Sequence, residues 1–333
     1  MASSSISSNK SGCCKFHDHL GARCEQEAGP SGLCFWHDPH TDKTGTDISK
    51  RLEEYAKGGG MLHGLALQHA NLEGVNLVKP RAKTGYDLSG SDFYRANLRG
   101  AHLFNASLCK GSLMKADLTG ANLHCVHLGD CNLLGVKLIK AKIDNIKVGN
   151  QLLQEKRAEQ AKKNHDFEAM LDNYEQAEEI YRDLRKAGEQ QGLFSLAGPF
   201  LQRELTMRRY QMPLFSFSRL FSKTVDLFCG YGEEPIRVVL FSLLLIVASA
   251  IFYFFFGISF AGEIVAFNHE HGLLDNTISF LECLYYSVVT FTTLGYGDFT
   301  PVGLSRGMAA IEAFTGSFTL ALFVVVFVKK MTR

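Results

Sequence analysis

Residues 292–298 read TTLGYGD, with Gly295 and Gly297 on either side of Tyr296 and Asp298 behind them. The segment sits between two apolar runs. Val238–Phe256 (VVLFSLLLIVASAIFYFFF) carries no charge, and Gly307–Val328 carries only Glu312. A helix rising about 1.5 Å per residue crosses a bilayer core of roughly 30 Å with runs of this length. The stretch from Thr277 to Pro301 is too short and too glycine-rich for a third crossing. Ser279 and Glu282 form a capping-box pattern that predicts a short helix of about three turns through FLECLYYSVVTFTT. Irregular backbone at membrane depth survives only inside protein or along a cavity. Glycines reach angles that a Cβ forbids, so Thr293–Gly297 is expected to present a row of carbonyls to such a cavity.

The order apolar run, short helix, TTLGYGD, apolar run closely resembles the pore of two-helix potassium channels over residues 236–333. The resemblance implies an all-α pore domain assembling as a tetramer. Thr292, Thr293, Leu294, Gly295, Tyr296, Gly297 and Asp298 would form the ion selectivity filter for K⁺. It implies that Asp298 braces the outer mouth with Tyr285 as partner, and that Gly316 stands where the family's inner helix has a hinge. A glycine in a membrane helix is also a close-packing point, so both readings of Gly316 stand. Leu294 replaces the family's usual Val, and Tyr285–Tyr286 replaces a tryptophan pair. Glu312 is costly in lipid and is expected to face protein as a support of the pore helix.

Arg208, Arg209, Arg219, Lys223 and Arg237 precede the first run, and Lys329, Lys330 and Arg333 follow the second. Between the runs stand Glu263, Glu270 and Asp275 before Arg306. The positive-inside bias predicts two spans in a plasma or inner membrane with both termini cytoplasmic. The N-terminal MASSSISSNKSG has no apolar h-region of a secretory signal. Nine cysteines in that compartment are expected as thiols or metal ligands.

From residue 60 to 150 apolar residues recur at every fifth position, a period of neither helix nor ordinary strand. An early series runs Leu62, Leu67, Leu72, Leu77, and a longer one from Leu88 and Phe93 through Leu138, Ile143 and Val148. Two residues before each centre the side chain is mostly small, as at Ala70, Ala96, Ala116 and Ala141. Such spacing closes a square coil of four repeats. ADLTG, ANLRG and ANLEG resemble the pentapeptide-repeat family, which implies a right-handed quadrilateral β-helix. Leu77 to Leu88 spans eleven residues, so KPRAKTG must bulge from one coil. Eleven basic and six acidic residues give this region a charge of +5, the wrong sign for the DNA mimicry some relatives practise. The whole chain carries +1, and no nucleic-acid partner is expected.

Residues 1–45 concentrate Cys14, Cys24, Cys34 and His37 with spacings x9, x9 and x2. Three thiolates and an imidazole suit a closed tetrahedral structural Zn²⁺, and the pattern resembles small zinc modules with that ligand set. Cys13, His17, His19 and His40 are rival ligands. A linker helix is expected over 46–59. Residues 151–212 are expected as a connector of two helices broken at Gly192, weakly resembling a tetratricopeptide hairpin. Over 213–235 Leu214, Phe217, Leu220, Phe221 and Val225 share a face while Arg219 and Lys223 do not, an amphipathic helix for the membrane interface.

Together these features predict a multidomain membrane protein that is no enzyme: a tetrameric potassium-selective channel subunit with a cytoplasmic pentapeptide-repeat domain for regulation, assembly or an unknown partner. No helix carries arginine at every third position, and no nucleotide-binding motif follows the second run, so regulation is expected through the N-terminal half, the lipid or the pore. The alternative is a membrane-anchored scaffold with a non-conducting or weakly selective pore.

Overall fold

The computed structural model describes residues 12–18, 21–270 and 272–331. The leader reading of residues 1–11, the rival ligand His19 and the basic Arg333 lie outside them. The chain divides into two compact units, Met1–Leu214 and Phe215–Arg333.

In the first unit the five-residue period becomes a stack of square coils. Parallel bridges join residues 20 apart, such as Asp87↔Ser107, Asn97↔Asp117 and His127↔Lys147. Early bridges such as Ala66↔Asp92 span 26 residues, because the bulge adds its residues to that coil. Each centre and the small residue before it point inward: Leu98, Leu103, Ala101, Ala106 and Ala121 are wholly buried. Every fifth residue turns the corner in the left-handed region, including Gly90, Arg95, Gly100, Asn105 and Lys110. The turn closes with bonds such as Ala96 N–H to Phe93 O at 3.0 Å. Residues 79–84 of the bulge are exposed.

Both ends of the stack are covered. Helix α1 (Ile48–Lys57) buries Ile48, Leu52 and Ala56, and its Ser49 hydroxyl donates to Asn71 O and Glu73 O at 3.3 and 3.2 Å. The expected linker helix is therefore a lid on the first coil. At the other end the connector has three helices, not two: α2 (Leu153–Lys163), α3 (Phe167–Gln190) and α4 (Phe194–Gln211). The extra break falls at His165, at φ 59°, where the Asp166 carboxylate accepts from Ala169 N–H and starts α3 afresh. Leu184 of α3 closes the interior over Leu138 and Ile143, leaving a cavity of about 10 Å³. Buried Glu155 accepts from Leu152 N–H at 2.9 Å and from the Tyr181 hydroxyl. Glu204, also buried, pairs with Arg185 at 2.7 Å.

The second unit begins with α5 (Phe217–Cys229) and one turn of 3₁₀ helix, followed by α6 (Pro235–Phe256). A hairpin of β1 (Ile258–Phe260) and β2 (Glu263–Val265) leads to α7 (Leu273–Phe291), then β3 (Phe299–Pro301) and α8 (Ser305–Met331). Helices α6 and α8 are long and apolar enough to cross a membrane. The capping box at Ser279 does not start α7. The helix begins two turns earlier, with Asp275 in its first turn, because Leu273–Thr277 contains no breaker and the Asn276 amide ties back to Asn268 O at 2.9 Å. Phe215, Phe217, Leu220 and Phe221 stand exposed along α5. At the far end of α8, Lys329 Nζ meets buried Glu233 at 2.6 Å, joining that helix to the elbow between α5 and α6.

Removing core atoms from a coil leaves a cavity whose lining relaxes only in part. Leu118→Ala is expected to cost about 2–5 kcal/mol. Urea titration followed by the emission of Trp36, the single tryptophan, checks this through a lowered midpoint.

Candidate functional site

Helix α7 ends at Phe291 with Thr292 as its C-cap, and Thr293 N–H and Leu294 N–H turn back to Thr290 O and Val289 O at 3.0 Å each. Beyond that turn alternate residues take the left-handed region: Thr293 at φ 58°, Gly295 at 57° and Gly297 at 79°. For Thr293, which carries a Cβ, this costs about 1–2 kcal/mol. Its hydroxyl donates to Thr292 O at 2.7 Å. A Cβ on Gly295 or Gly297 would meet nothing within 4 Å in the single chain, so the glycines answer to backbone angle, not to space. Leu294 and Tyr296 are exposed.

Three contacts hold this segment from behind. The Tyr285 hydroxyl faces the Asp298 carboxylate, while Tyr286 points the other way, buried against Tyr253 with ring centroids 4.9 Å apart. Glu312 of α8 is wholly buried and receives the Tyr253 hydroxyl of α6 at 2.6 Å. Its other oxygen lies 2.5 Å from the Ser287 hydroxyl of α7. One side chain thus knots three helices. Gly316 lies so close to the end of α7 that a Cβ there would fall 2.1 Å from Phe291 O. The hinge expectation for Gly316 had no such contact in view.

The second cluster is in the first unit. A hairpin with bridges Cys13↔Glu27 and His17↔Arg23 carries Cys14 and Cys24 on opposite arms. A turn closed by His37 N–H to Cys34 O at 3.1 Å brings up the other two. The ligand atoms of Cys14, Cys24, Cys34 and His37 all lie within 4.8 Å of one another, and all four residues are buried. Cys13, His17 and His40 are exposed. Tetrahedral bonds of about 2.3 Å to sulfur and 2.0–2.1 Å to nitrogen require S···S of about 3.8 Å and S···N of about 3.6 Å. Cys24 and Cys34 sulfurs are 3.8 Å apart, and His37 Nδ1 is 3.8 and 3.1 Å from those of Cys14 and Cys34. The set could bind a metal.

The surroundings suit ligation. His37 Nε2 lies 2.9 Å from His63 O, which accepts its N–H, keeps the proton on that nitrogen and leaves Nδ1 free as donor atom. Phe16 stacks on the imidazole at 4.0 Å and 7°. Burial holds His37 below its ordinary pKa, in the neutral form a metal takes. Burial also pushes the Cys34 thiol up to about 12. At Cys14 burial works the same way, but hydrogen bonds from the backbone N–H groups of Phe16 and Cys34 outweigh it and lower the thiol. A bound dication supplies the charge that makes all three thiolates stable.

Residues 239–333 match the family model described as ion channel, and residues 84–109 and 112–147 match pentapeptide repeats in eight copies. The chain joins an ion channel domain to pentapeptide repeats. No curated protein matches it. Among solved structures it is similar to the pentapeptide repeat protein Rfr23 of the cyanobacterium Cyanothece 51142, at 26 % identity, covering 27 % of this chain and 57 % of that one with a TM-score of 0.18. HetL of Nostoc sp. strain PCC 7120, involved in heterocyst differentiation regulation, is 28 % identical over 26 % of this chain and 51 % of its own, TM-score 0.15. The protein alr5209 of Nostoc PCC 7120 is 26 % identical over 32 % of this chain and 94 % of its own, TM-score 0.18. This chain spans just over half the length of the first two.

Two variants test the packing described here. Gly316→Ala forces α8 away from the end of α7 and is expected to lower the thermal stability of the detergent-solubilised protein and its ion flux together. Chelation, or His37→Ala, is expected to release one metal per chain and shift Trp36 emission, since Trp36 lies buried two residues from Cys34 and stacks on Tyr55 at 5.4 Å. Elemental analysis alongside fluorescence reads both.

Proposed function

We propose that four copies of this chain surround one pore, and that TTLGYGD is its potassium-selective filter. The observation that carries this reading is the left-handed geometry at Thr293, Gly295 and Gly297 directly after a helix whose C-cap is Thr292. In extended backbone successive carbonyls point to opposite sides, whereas alternating hands turn them to one side. Four such rows replace the water around a dehydrated cation. Leu294 changes the side chain and not the ligand, which is backbone. The Tyr285–Asp298 contact and the Glu312 knot resist the repulsion among those carbonyls.

Basic residues beside the spans favour cytoplasmic termini, with α5 in the interface, its phenylalanines in lipid and Arg219 and Lys223 toward headgroups. The Cys14, Cys24, Cys34 and His37 set holds a structural Zn²⁺ that closes the N-terminal module. The repeat domain regulates or assembles the pore. Its mechanical route to α8 runs through α5 and the Glu233–Lys329 pair.

In liposomes the purified protein is expected to pass K⁺ far better than Na⁺, with a reversal potential that follows the K⁺ gradient. Gly295→Ala, which puts a Cβ on a left-handed residue, is expected to abolish this. Equal K⁺ and Na⁺ currents in the wild type refute the reading. Deleting residues 1–210 is expected to change open probability and leave the reversal potential where it was.

A further inference from the structure

The sheet β2-β1-β3 joins two places that the pore architecture otherwise keeps apart. β1 follows the outer helix α6 after the single residue Gly257, and β3 follows Asp298 directly. Their register pairs Ile258 with Pro301, Ser259 with Thr300 and Phe260 with Phe299. The β1–β2 hairpin turns through Ala261 and Gly262, at φ 50° and 91°, a two-residue turn of the primed kind closed by Phe260 and Glu263. Because bonded and non-bonded pairs alternate along antiparallel strands, Ile258 and Phe260 direct their backbone groups to β2, and Ser259 directs its groups to Thr300. The same alternation turns Phe299 and Pro301 to the free edge. There Phe299 N–H donates to Asp298 Oδ1 at 3.0 Å, Pro301 has no N–H to offer, and its carbonyl accepts from Arg306 Nε at 3.3 Å.

Side chains fix the same junction. Phe299 stacks on Phe260 at 4.7 Å and meets the edge of Tyr285 at 5.8 Å. Ile258, at the root of β1, is wholly buried in a cluster with Tyr253, Cys283, Tyr286 and Ala309, drawn from all three helices. Asp298 therefore touches the pore helix through Tyr285 and the strap through Phe299.

We propose that this strap, with Phe299 as positioning residue, sets how long the filter keeps its conducting shape by tying its outer mouth to the outer helix of the same subunit. The proposal rests on the potassium-filter reading. Bound K⁺ offsets repulsion among the carbonyl rows, so at low external K⁺ only the protein scaffold opposes their collapse. A weakened strap then shows as faster loss of conductance at low K⁺, with selectivity intact while the pore conducts.

The test is recording from full-length channels in planar bilayers at high and low external K⁺. Phe299→Ala is expected to lose conductance about tenfold faster than wild type at low K⁺. Raising external K⁺ is expected to restore it without moving the K⁺/Na⁺ reversal potential, and Phe299→Tyr, which keeps the ring, to behave as wild type. In the double variant S259C/T300C, a disulfide formed with copper phenanthroline and dioxygen is expected to slow the loss, and dithiothreitol to reverse that. Wild-type decay in Phe299→Ala overturns the proposal. Where that variant fails to assemble, a disulfide that leaves the decay rate unchanged overturns it. A wild type that passes Na⁺ as readily as K⁺ removes the filter reading itself, whereas a selective wild type indifferent to both variants removes only the strap.

Discussion

In the filter we propose, a carbonyl offered to an ion is withheld from the protein's own hydrogen bonds, and the second unit surrounds that segment with contacts of its own. Buried backbone groups are nearly always paired, and membrane segments satisfy theirs within helices. Between Thr293 and Gly297 the N–H groups of Thr293 and Leu294 are paired, while the carbonyls accept no backbone hydrogen bond among the described residues. What replaces it is support from outside the segment: Tyr285 on Asp298, Phe291 against Gly316, and Glu312 between Tyr253 and Ser287.

The repeat unit solves the opposite problem. Here every coil donates to the next, as in Phe93 N–H to Ser112 O and Leu98 N–H to Asp117 O, both 2.8 Å. Left-handed corners at Arg95, Lys115 and Asp130 each carry a local cost. The continuous ladder and a core of wholly buried leucines outweigh it. Because the stack has two open ends, it needs lids, and α1 and α3 supply them with Leu52 and Leu184. Positive φ serves one unit by turning corners and the other by turning carbonyls.

The parts legible in the sequence were those with a local period or a local chemistry. Leucine at every fifth position marked the coils, the long apolar runs marked α6 and α8, and the Cys-x9-Cys-x9-Cys-x2-His spacing marked the cluster that the fold gathers. What stayed hidden depends on partners distant in sequence. Phe260 and Phe299 meet from strands of three residues each, too short for an alternation pattern to show. The start of α7 was misplaced because a capping pattern at Ser279 is locally sound, yet the helix had better company upstream. The break at His165 was hidden by polar residues that suit a helix interior and a turn alike. Gly316 is the clearest instance: composition allows a hinge or a contact, and only the neighbouring Phe291 carbonyl distinguishes what the residue touches.

These contacts also limit where the pore unit can bend. Glu312 and Gly316 hold one stretch of α8 against α7, so rotation at Gly316 would carry the end of the pore helix, and with it Thr292, along with the inner helix. Beyond Gly316, Leu322, Phe323 and Val326 of α8 pack with Cys229 of α5 and Val238 of α6, and Lys329 meets Glu233 at the end. Arg237, which pairs with both Asp226 and Glu234, fixes the elbow to which that end is tied. The pairing of Ser259 with Thr300 ties the segment after Asp298 to the end of α6, separately from the contacts that α8 makes.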